Sequence, residues 1–111
     1  IFEMAMTKQQ FENWKQALVN MEDSAGVGTL FDEETSCFCA LGVLCHIEGL
    51  EMDYLDLRDH FGWRGDAEFD PIAEVYRVND FHYNKFGPSK AFPAVIEFLN
   101  ENEDKFVGEQ A

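Results

Sequence analysis

The sequence predicts a compact α+β domain that is mainly α: four or five short helices around a buried central helix, with at most a small β-hairpin. The most apolar run, Cys37–Cys45, reads CFCALGVLC and is followed by His46. A helix that is hydrophobic on nearly all sides is one that other elements cover. Amphipathic segments with their own start and stop signals flank this run. The length of 111 residues suits one hydrophobic core, and 46% hydrophobic residues argue against disorder despite the high charge.

The central helix is predicted over Cys37–Ile47. Thr35 and Ser36 precede it as N-cap residues, and Gly49 follows it as a C-cap. Gly42 lies in its middle, where glycine costs roughly 1 kcal/mol relative to alanine. That cost indicates that another backbone packs close to Gly42. A short buried strand is the alternative, because periodicity alone does not separate the two.

Upstream of the central helix, a capping box formed by Thr7 and Gln10 predicts an amphipathic helix over Lys8–Met21. Its apolar side carries Trp14, which we interpret as a core anchor. A β-prone segment, Val27–Phe31, is predicted to pair with the residues just before the central helix in a small hairpin.

Downstream, Asp53 is predicted to cap a short helix over Tyr54–Phe61. Asp70 precedes a proline and marks the start of a further helix. The aromatic segment Phe81–Ser89 is predicted to be irregular, because it ends in glycine and proline. The last helix is predicted over Phe92–Glu103, with a proline tolerated in its first turn.

One globular domain is expected over residues 7–105. Residues 1–6 are left outside it as a disordered or non-native leader, and residues 106–111 are expected to form a frayed tail. No apolar run approaches the roughly eighteen residues that a membrane helix needs, and no signal-peptide pattern is present. We therefore expect a cytoplasmic protein.

The apolar run and two downstream elements resemble a family of small uncharacterised proteins of tailed bacteriophages. That family has a C-C-L-G-V-L-C-D core, a Trp-bearing helix before it, and an L-N-D motif and an amphipathic helix after it. The matching core and motif residues are Cys39, Leu41, Gly42, Val43, Leu44, Cys45, Asn79 and Asp80.

The resemblance implies a bacteriophage protein that acts inside the bacterial host cell during infection. It implies no activity, because the family has none established. Two departures stand out: His46 replaces the usual acidic residue, and a segment around Phe81–Lys90 is inserted.

Charge is the main functional clue. The chain carries 22 acidic and 8 basic residues, for a net charge of −14. Between Glu22 and Glu74 there are fourteen acidic and two basic residues. This composition disfavours direct binding to nucleic acid, whose phosphates need Lys and Arg, so we expect none. It favours a protein partner with a basic surface, contacted through the acidic side chains of one short helix. The predicted binding residues there are Glu51, Asp53, Asp56 and Asp59.

Two alternatives to a generic partner remain open. The carboxylates could stand in for phosphates, which would make the protein a DNA-mimicking inhibitor of a host DNA-binding or defence protein. Alternatively, the acidity serves solubility alone.

A second candidate contact patch is the aromatic segment with Phe81, His82, Tyr83 and Phe86, because an apolar loop left in solvent is itself a contact surface. Asn79 and Asp80, just before it, are predicted to tie the last loop to the central helix through a side-chain network. A binding or catalytic role for that pair is the alternative.

A cysteine-dependent hydrolase is the third function hypothesis. Cys37 or Cys39 would lie at a helix N-terminus, where the pKa of a thiol is lowered, and His82 is the base to consider. Against it, the apolar neighbours indicate that these cysteines act as small hydrophobic residues. The spacing C-x-C-x5-C-H also differs from the C-x2–4-C pairs of zinc sites. We therefore expect a non-enzymatic protein with reduced thiols, no metal and no other cofactor.

Overall fold

The computed structural model describes residues 6–108, so the predictions for residues 1–5 and 109–111 lie outside it. It confirms an α+β fold that is mainly α. Six helices and two strands occur within residues 6–108. In chain order they are α1 (Lys8–Asn20), β1 (Phe31–Asp32), β2 (Cys37–Phe38), α2 (Ala40–Glu48), α3 (Tyr54–Phe61), α4 (Pro71–Phe86), α5 (Pro88–Glu101) and α6 (Glu103–Phe106), with a short 3-10 turn over Glu22–Ser24.

Helix α2 is the central helix, as predicted. Six consecutive residues, Ala40 to Cys45, are buried, and the helix packs against α1, α4 and α5. Its start is later than predicted, because the two residues before Cys39 belong to strand β2 and Cys39 itself is the N-cap. Thr35 and Ser36 lie in the hairpin turn, where Ser36 adopts a φ of 58°, so neither is the N-cap that was predicted. Gly49 ends the helix in the left-handed conformation, as predicted.

The close backbone approach at Gly42 is confirmed. A Cβ added there would lie 1.8 Å from the carbonyl oxygen of Leu30. The same oxygen accepts a hydrogen bond from the backbone N–H of Cys39 at 3.2 Å. Gly42 is thus required because the backbone of Leu30 occupies the space that a side chain would fill.

The predicted hairpin is also present, although its paired part is short. Phe31 pairs with Phe38, and Asp32 with Cys37, in an antiparallel register. The Phe31 and Phe38 rings lie 4.6 Å apart and add a cross-strand contact. Ala25 pairs with the other side of Phe38, so the segment before the hairpin is held against it as well.

The predicted helix caps form as expected. The Thr7 hydroxyl accepts from the backbone N–H of Gln10, whose side chain accepts from the backbone N–H of Thr7. The carboxylate of Asp53 accepts from the N–H of Leu55 at 2.7 Å. Asp70 does the same for the N–H of Ile72 at 3.2 Å.

The prediction of an irregular segment over Phe81–Ser89 is wrong. Helix α4 continues to Phe86, and α5 begins at Pro88, so that Gly87 alone separates the two. Gly87 adopts a φ of 101°, which favours glycine, and a proline suits the first position of a helix. The two helices therefore fold back on each other as a helical hairpin. Because α5 starts early, Pro93 lies inside the helix rather than in its first turn.

Both predicted ends of the domain need correction. Met6 and Phe106 are buried in the core, so the packed domain extends beyond residues 7–105. The Phe106 ring packs edge-on against the rings of Trp14 and Trp63, at 5.9 and 6.0 Å. Met6 pairs with Val107 in a parallel bridge. The expected fraying from residue 106 is thus wrong for the part of the tail that the structure describes.

None of the helices within residues 6–108 combines the length and the apolar character that crossing a membrane requires.

Replacing Gly42 with Ala tests the close approach of Leu30. Helix propensity alone would raise the free energy of unfolding by about 1 kcal/mol. We expect instead a loss of roughly 1–3 kcal/mol, the range for an overpacked core, because the obstructing atom is a backbone oxygen. Urea denaturation measures the difference. A more stable variant would contradict the packing described here.

Candidate functional site

The acidic face consists of Glu51, Asp53, Asp56 and Asp59, on α3 and the segment before it. Three of these residues are exposed and Asp56 is half-buried. Asp53 also caps α3, so part of its role is structural. For the other three, no ion pair occurs within residues 6–108. Their charges are therefore available to a partner.

Two apolar side chains lie among these carboxylates. Leu55 is 70% exposed and Met52 is 38% exposed. Leu55 is four residues before Asp59 on α3, a spacing that places the two on one side of the helix, whereas Met52 lies in the segment before α3. Neither apolar side chain was assigned a role from the sequence. The available signal was their position between acidic residues and, for Leu55, its place on the side of α3 opposite Leu57 and Phe61.

The two arginines of the acidic region are already paired. Arg58 donates two hydrogen bonds to Asp70, at 2.9 and 3.0 Å, and Arg64 pairs with Asp66 at 3.0 Å. Burial raises the pKa of the Asp70 carboxyl, but the hydrogen bond and charge of Arg58 outweigh it, so the pKa lies below its ordinary value. Because these cations neutralise other carboxylates, they do not offset the acidic face.

Three of the four aromatic residues of the predicted contact patch lie together: the ring centres of Phe81 and His82 are 5.1 Å apart, those of His82 and Phe86 5.8 Å, and those of Phe81 and Phe86 6.4 Å. Phe81 and Phe86 are exposed, at 51% and 55%. Tyr83 packs against the core, and His82 is half-buried with its Nδ1 2.9 Å from the carbonyl oxygen of Val78. The Lys85 ammonium lies 5.4 and 5.6 Å from the centres of the two exposed rings. The patch is thus the outer surface of a helix end.

A groove runs between α4 and α5 beside these aromatics, with a volume of about 440 Å³. We call it the hairpin groove. Apolar side chains dominate its centre, Lys90 lies towards the helical turn, and two carboxylates lie towards the other end of α5. The lining residues are Val78, His82, Phe86, Lys90, Pro93, Ala94, Glu97, Phe98 and Glu101.

A second, shallower crevice of about 420 Å³ adjoins the acidic face. Tyr54 and Tyr76 line it, and the Tyr76 hydroxyl donates to the carbonyl oxygen of Gly28 at 3.2 Å. Burial raises the pKa of Tyr54 to about 12. Sequence analysis missed this crevice, because its two tyrosines come from separate helices.

The thiols do not have the environment of a nucleophile. Cys39 lies at the N-terminus of α2, as one hypothesis required, but it is buried. Burial raises the pKa of Cys39 to about 11, although hydrogen bonds from the N–H groups of Gly42 and Leu41 act in the opposite direction. Burial likewise raises the pKa of Cys45 to about 11. Both thiols are therefore protonated at neutral pH.

No hydrogen bond within residues 6–108 joins a cysteine to a histidine. His46 packs against the Phe38 ring at 5.3 Å, and Nε2 of His60 lies 2.8 Å from the Glu48 carboxylate. His82 contacts a backbone carbonyl of its own helix. In the same part of the chain, no three His, Cys, Asp or Glu side chains are placed to share a metal ion.

Asn79 and Asp80 form a buried connection between segments. The side chain of Asn79 accepts from the backbone N–H of Ala40 at 3.1 Å and donates to the carbonyl oxygen of Gly26 at 3.0 Å. It also donates to Asp80 at 2.9 Å. The pair therefore joins α4 to the start of α2 and to the segment before the hairpin. All three hydrogen bonds are made within the chain.

No protein-family model, curated protein or solved structure matches this chain.

The buried thiols should resist labelling. At pH 8 a thiol with a pKa near 11 is ionised in about one molecule in a thousand. We expect a thiol reagent such as DTNB to reach Cys39 and Cys45 only on unfolding, with half-buried Cys37 reacting first. Fast labelling of Cys39 in the folded protein would revive the hydrolase hypothesis.

The same pKa shifts predict alkaline destabilisation. Because the folded pKa values lie above the ordinary 9.0, the stability from these two thiols is complete below about pH 9 and is lost as the pH rises towards 11. Urea denaturation between pH 8 and 11 measures the loss, and Cys45→Ala should reduce it.

Replacing Asn79 with Ala should be costly. The change leaves the N–H of Ala40 and the carbonyl of Gly26 without their partner, at about 1–3 kcal/mol for each buried group. Asn84→Ala, on the exposed side of the same helix, is the control and should stay within about 0.5 kcal/mol. Equal effects of the two substitutions would contradict a connecting role.

Proposed function

We propose that this protein acts without catalysis, as a small accessory protein that binds a protein partner with a basic surface through the acidic face. The observation that carries the proposal is Leu55, which is 70% exposed beside carboxylates that have no ion-pair partner within residues 6–108. Carboxylates that served solubility alone would gain nothing from an exposed leucine at their centre. An apolar anchor within a polar rim is the usual organisation of a protein interface.

The charges and the leucine have different roles in this proposal. Unpaired carboxylates attract a basic partner over a distance and raise the rate of association. Leu55 and Met52 lose water only in the complex, so they slow dissociation. The paired Arg58 and Arg64 leave the negative potential in place.

The resemblance to small phage proteins supports a host or phage protein as the partner. Under that proposal the protein acts in the bacterial cytoplasm during infection.

A more specific form of this proposal is that the protein is a DNA-mimicking inhibitor, which binds a DNA-binding or defence protein of the host through the acidic face. It is favoured by the three carboxylates without ion pairs, Glu51, Asp56 and Asp59, which would stand in for phosphates. It makes one additional demand: duplex DNA must compete with this protein for the partner. A partner that binds equally well with and without DNA excludes mimicry.

Charge reversal tests the acidic face. A partner is first isolated from bacterial lysate at low salt, and its binding is then measured by surface plasmon resonance. The triple variant Glu51→Lys, Asp56→Lys, Asp59→Lys should slow association by about tenfold or more. The free energy of unfolding should change by no more than about 0.5 kcal/mol at Glu51 and at Asp59, because these two positions are exposed. Leu55→Ala should instead speed dissociation.

The matched control is Glu22→Lys, Asp23→Lys, Asp104→Lys, which makes the same change in net charge at exposed positions of the 3-10 turn and α6, outside both the acidic face and the pockets described above. It should retain most of the association rate. If the two triple variants slow association equally, only the net charge matters and the acidic face is not the site. An affinity that changes neither with salt concentration nor with the Leu55→Ala substitution would also exclude the proposal.

A further inference from the structure

We propose that the hairpin groove is a second binding site, which takes an amphipathic helix of a partner protein. This helix carries acidic residues at its N-terminus, an apolar stripe and basic residues at its C-terminus, and it lies parallel to α5. The site is separate from the acidic face and requires different chemistry in its partner.

The shape of the groove fits a helix. Two helices packed side by side leave a furrow into which the side-chain ridge of a third helix can pack. The volume of about 440 Å³ is in the range of binding clefts, and Val78, Ala94 and Phe98 provide an apolar floor. Phe86 forms one wall and is 55% exposed, so a large apolar surface lacks cover within residues 6–108.

The length of the groove sets the length of its occupant. Lys90 and Glu101 lie at opposite ends of α5, which rises about 1.5 Å per residue, so the groove extends over roughly 16 Å. That distance corresponds to about three helical turns. An occupant would place apolar side chains at i, i+3 or i+4, and i+7 to meet the floor.

The charges at the two ends are opposite, although the whole chain carries −14. No acidic residue occurs between Phe81 and Ile96, where Lys85 and Lys90 supply positive charge. At the other end, Glu97 and Glu101 line the groove. A complementary occupant must therefore be acidic at the Lys90 end and basic at the Glu101 end.

This polarity also selects a direction. A helix is stabilised by acidic residues in its first turn and basic residues in its last turn, because of its macrodipole. An occupant with that arrangement meets Lys90 with its N-terminus and Glu101 with its C-terminus. It therefore runs parallel to α5.

The test uses two synthetic peptides of about twelve residues, three turns of helix. The first has Glu at its N-terminal positions, Leu at i, i+3, i+4 and i+7, Lys at its C-terminal positions and Ala elsewhere. The second has the same composition and the same Leu positions, but Glu and Lys are mixed in both blocks, so that neither end carries a net charge. Binding of each fluorescently labelled peptide to the full chain is measured by anisotropy at low salt.

The first peptide should bind about tenfold more tightly than the second, since each exposed charge pair contributes only a fraction of a kcal/mol and several pairs are lost together. The variant Glu97→Lys, Glu101→Lys, which makes both ends of the groove positive, should remove the preference. Ala94→Trp should fill the floor and abolish binding of both peptides, whereas Lys105→Glu, on α6, should leave both unchanged.

Three results would overturn the proposal. Equal affinity for the two peptides would exclude charge-directed binding, and no binding at millimolar concentration would exclude a helix site. A concentration-dependent dimer in sedimentation that Phe86→Ala abolishes would assign the groove to a second copy of this chain. Circular dichroism confirms that each variant is folded. None of these results bears on the acidic face, because its residues are not changed.

Discussion

The contact between the carbonyl oxygen of Leu30 and Gly42 is the constraint on which the rest of the structure depends. This contact places the segment before the hairpin directly against the backbone of α2. The same oxygen also accepts a hydrogen bond from the backbone N–H of Cys39. The next residue, Ala40, accepts from the Trp14 indole N–H at 3.0 Å and donates to Asn79. Helices α1 and α4 and the hairpin segment thus meet at one turn of α2. Displacing that turn would disturb the packing of all three elements, whereas losing the contact of any one of them would disturb only that element.

What could be predicted from the sequence was mainly local. The capping residues of α1, α3 and α4 act on N–H groups two or three positions away, so their signals are complete in a short stretch of sequence. The continuation of α4 to Phe86 was missed because the glycine and proline at the end of the aromatic segment suggested a loop, although a single glycine with positive φ was sufficient to reverse the chain. Phe106 follows Phe92 and Leu99 at intervals of seven, which was a usable signal. Acidic neighbours and the helix break at Asn102 obscured it.

For the candidate site as well, local features could be predicted from the sequence, whereas features set by the tertiary structure could not. The acidic residues of α3 could be placed from their spacing, but the exposure of Leu55 depends on which side of α3 meets the core, and only the folded chain decides that. For Cys39, the local sequence and the tertiary structure have opposite effects on the pKa of the thiol. Its position at a helix N-terminus predicts a lowered pKa, and the N–H groups of Leu41 and Gly42 do act in that direction. Burial has the larger effect, and burial is a property of the tertiary structure.

The Lys90 end of the hairpin groove and the acidic face carry opposite charge, which raises the question of why copies of this chain would not bind each other. The net charge of −14 gives the answer. At separations beyond about 10 Å at 0.1 M salt, two copies experience mainly the total charge of each other, which is repulsive and increasingly screened. The local attraction between Lys90 of one copy and the acidic face of another acts only at shorter distances. Two approaching copies therefore experience the repulsion before they experience this attraction. A basic partner meets no such barrier, because it is attracted by the whole protein before it reaches the acidic face. The excess of acidic residues that attracts a basic partner to the acidic face therefore also opposes binding of a second copy of this chain in the hairpin groove.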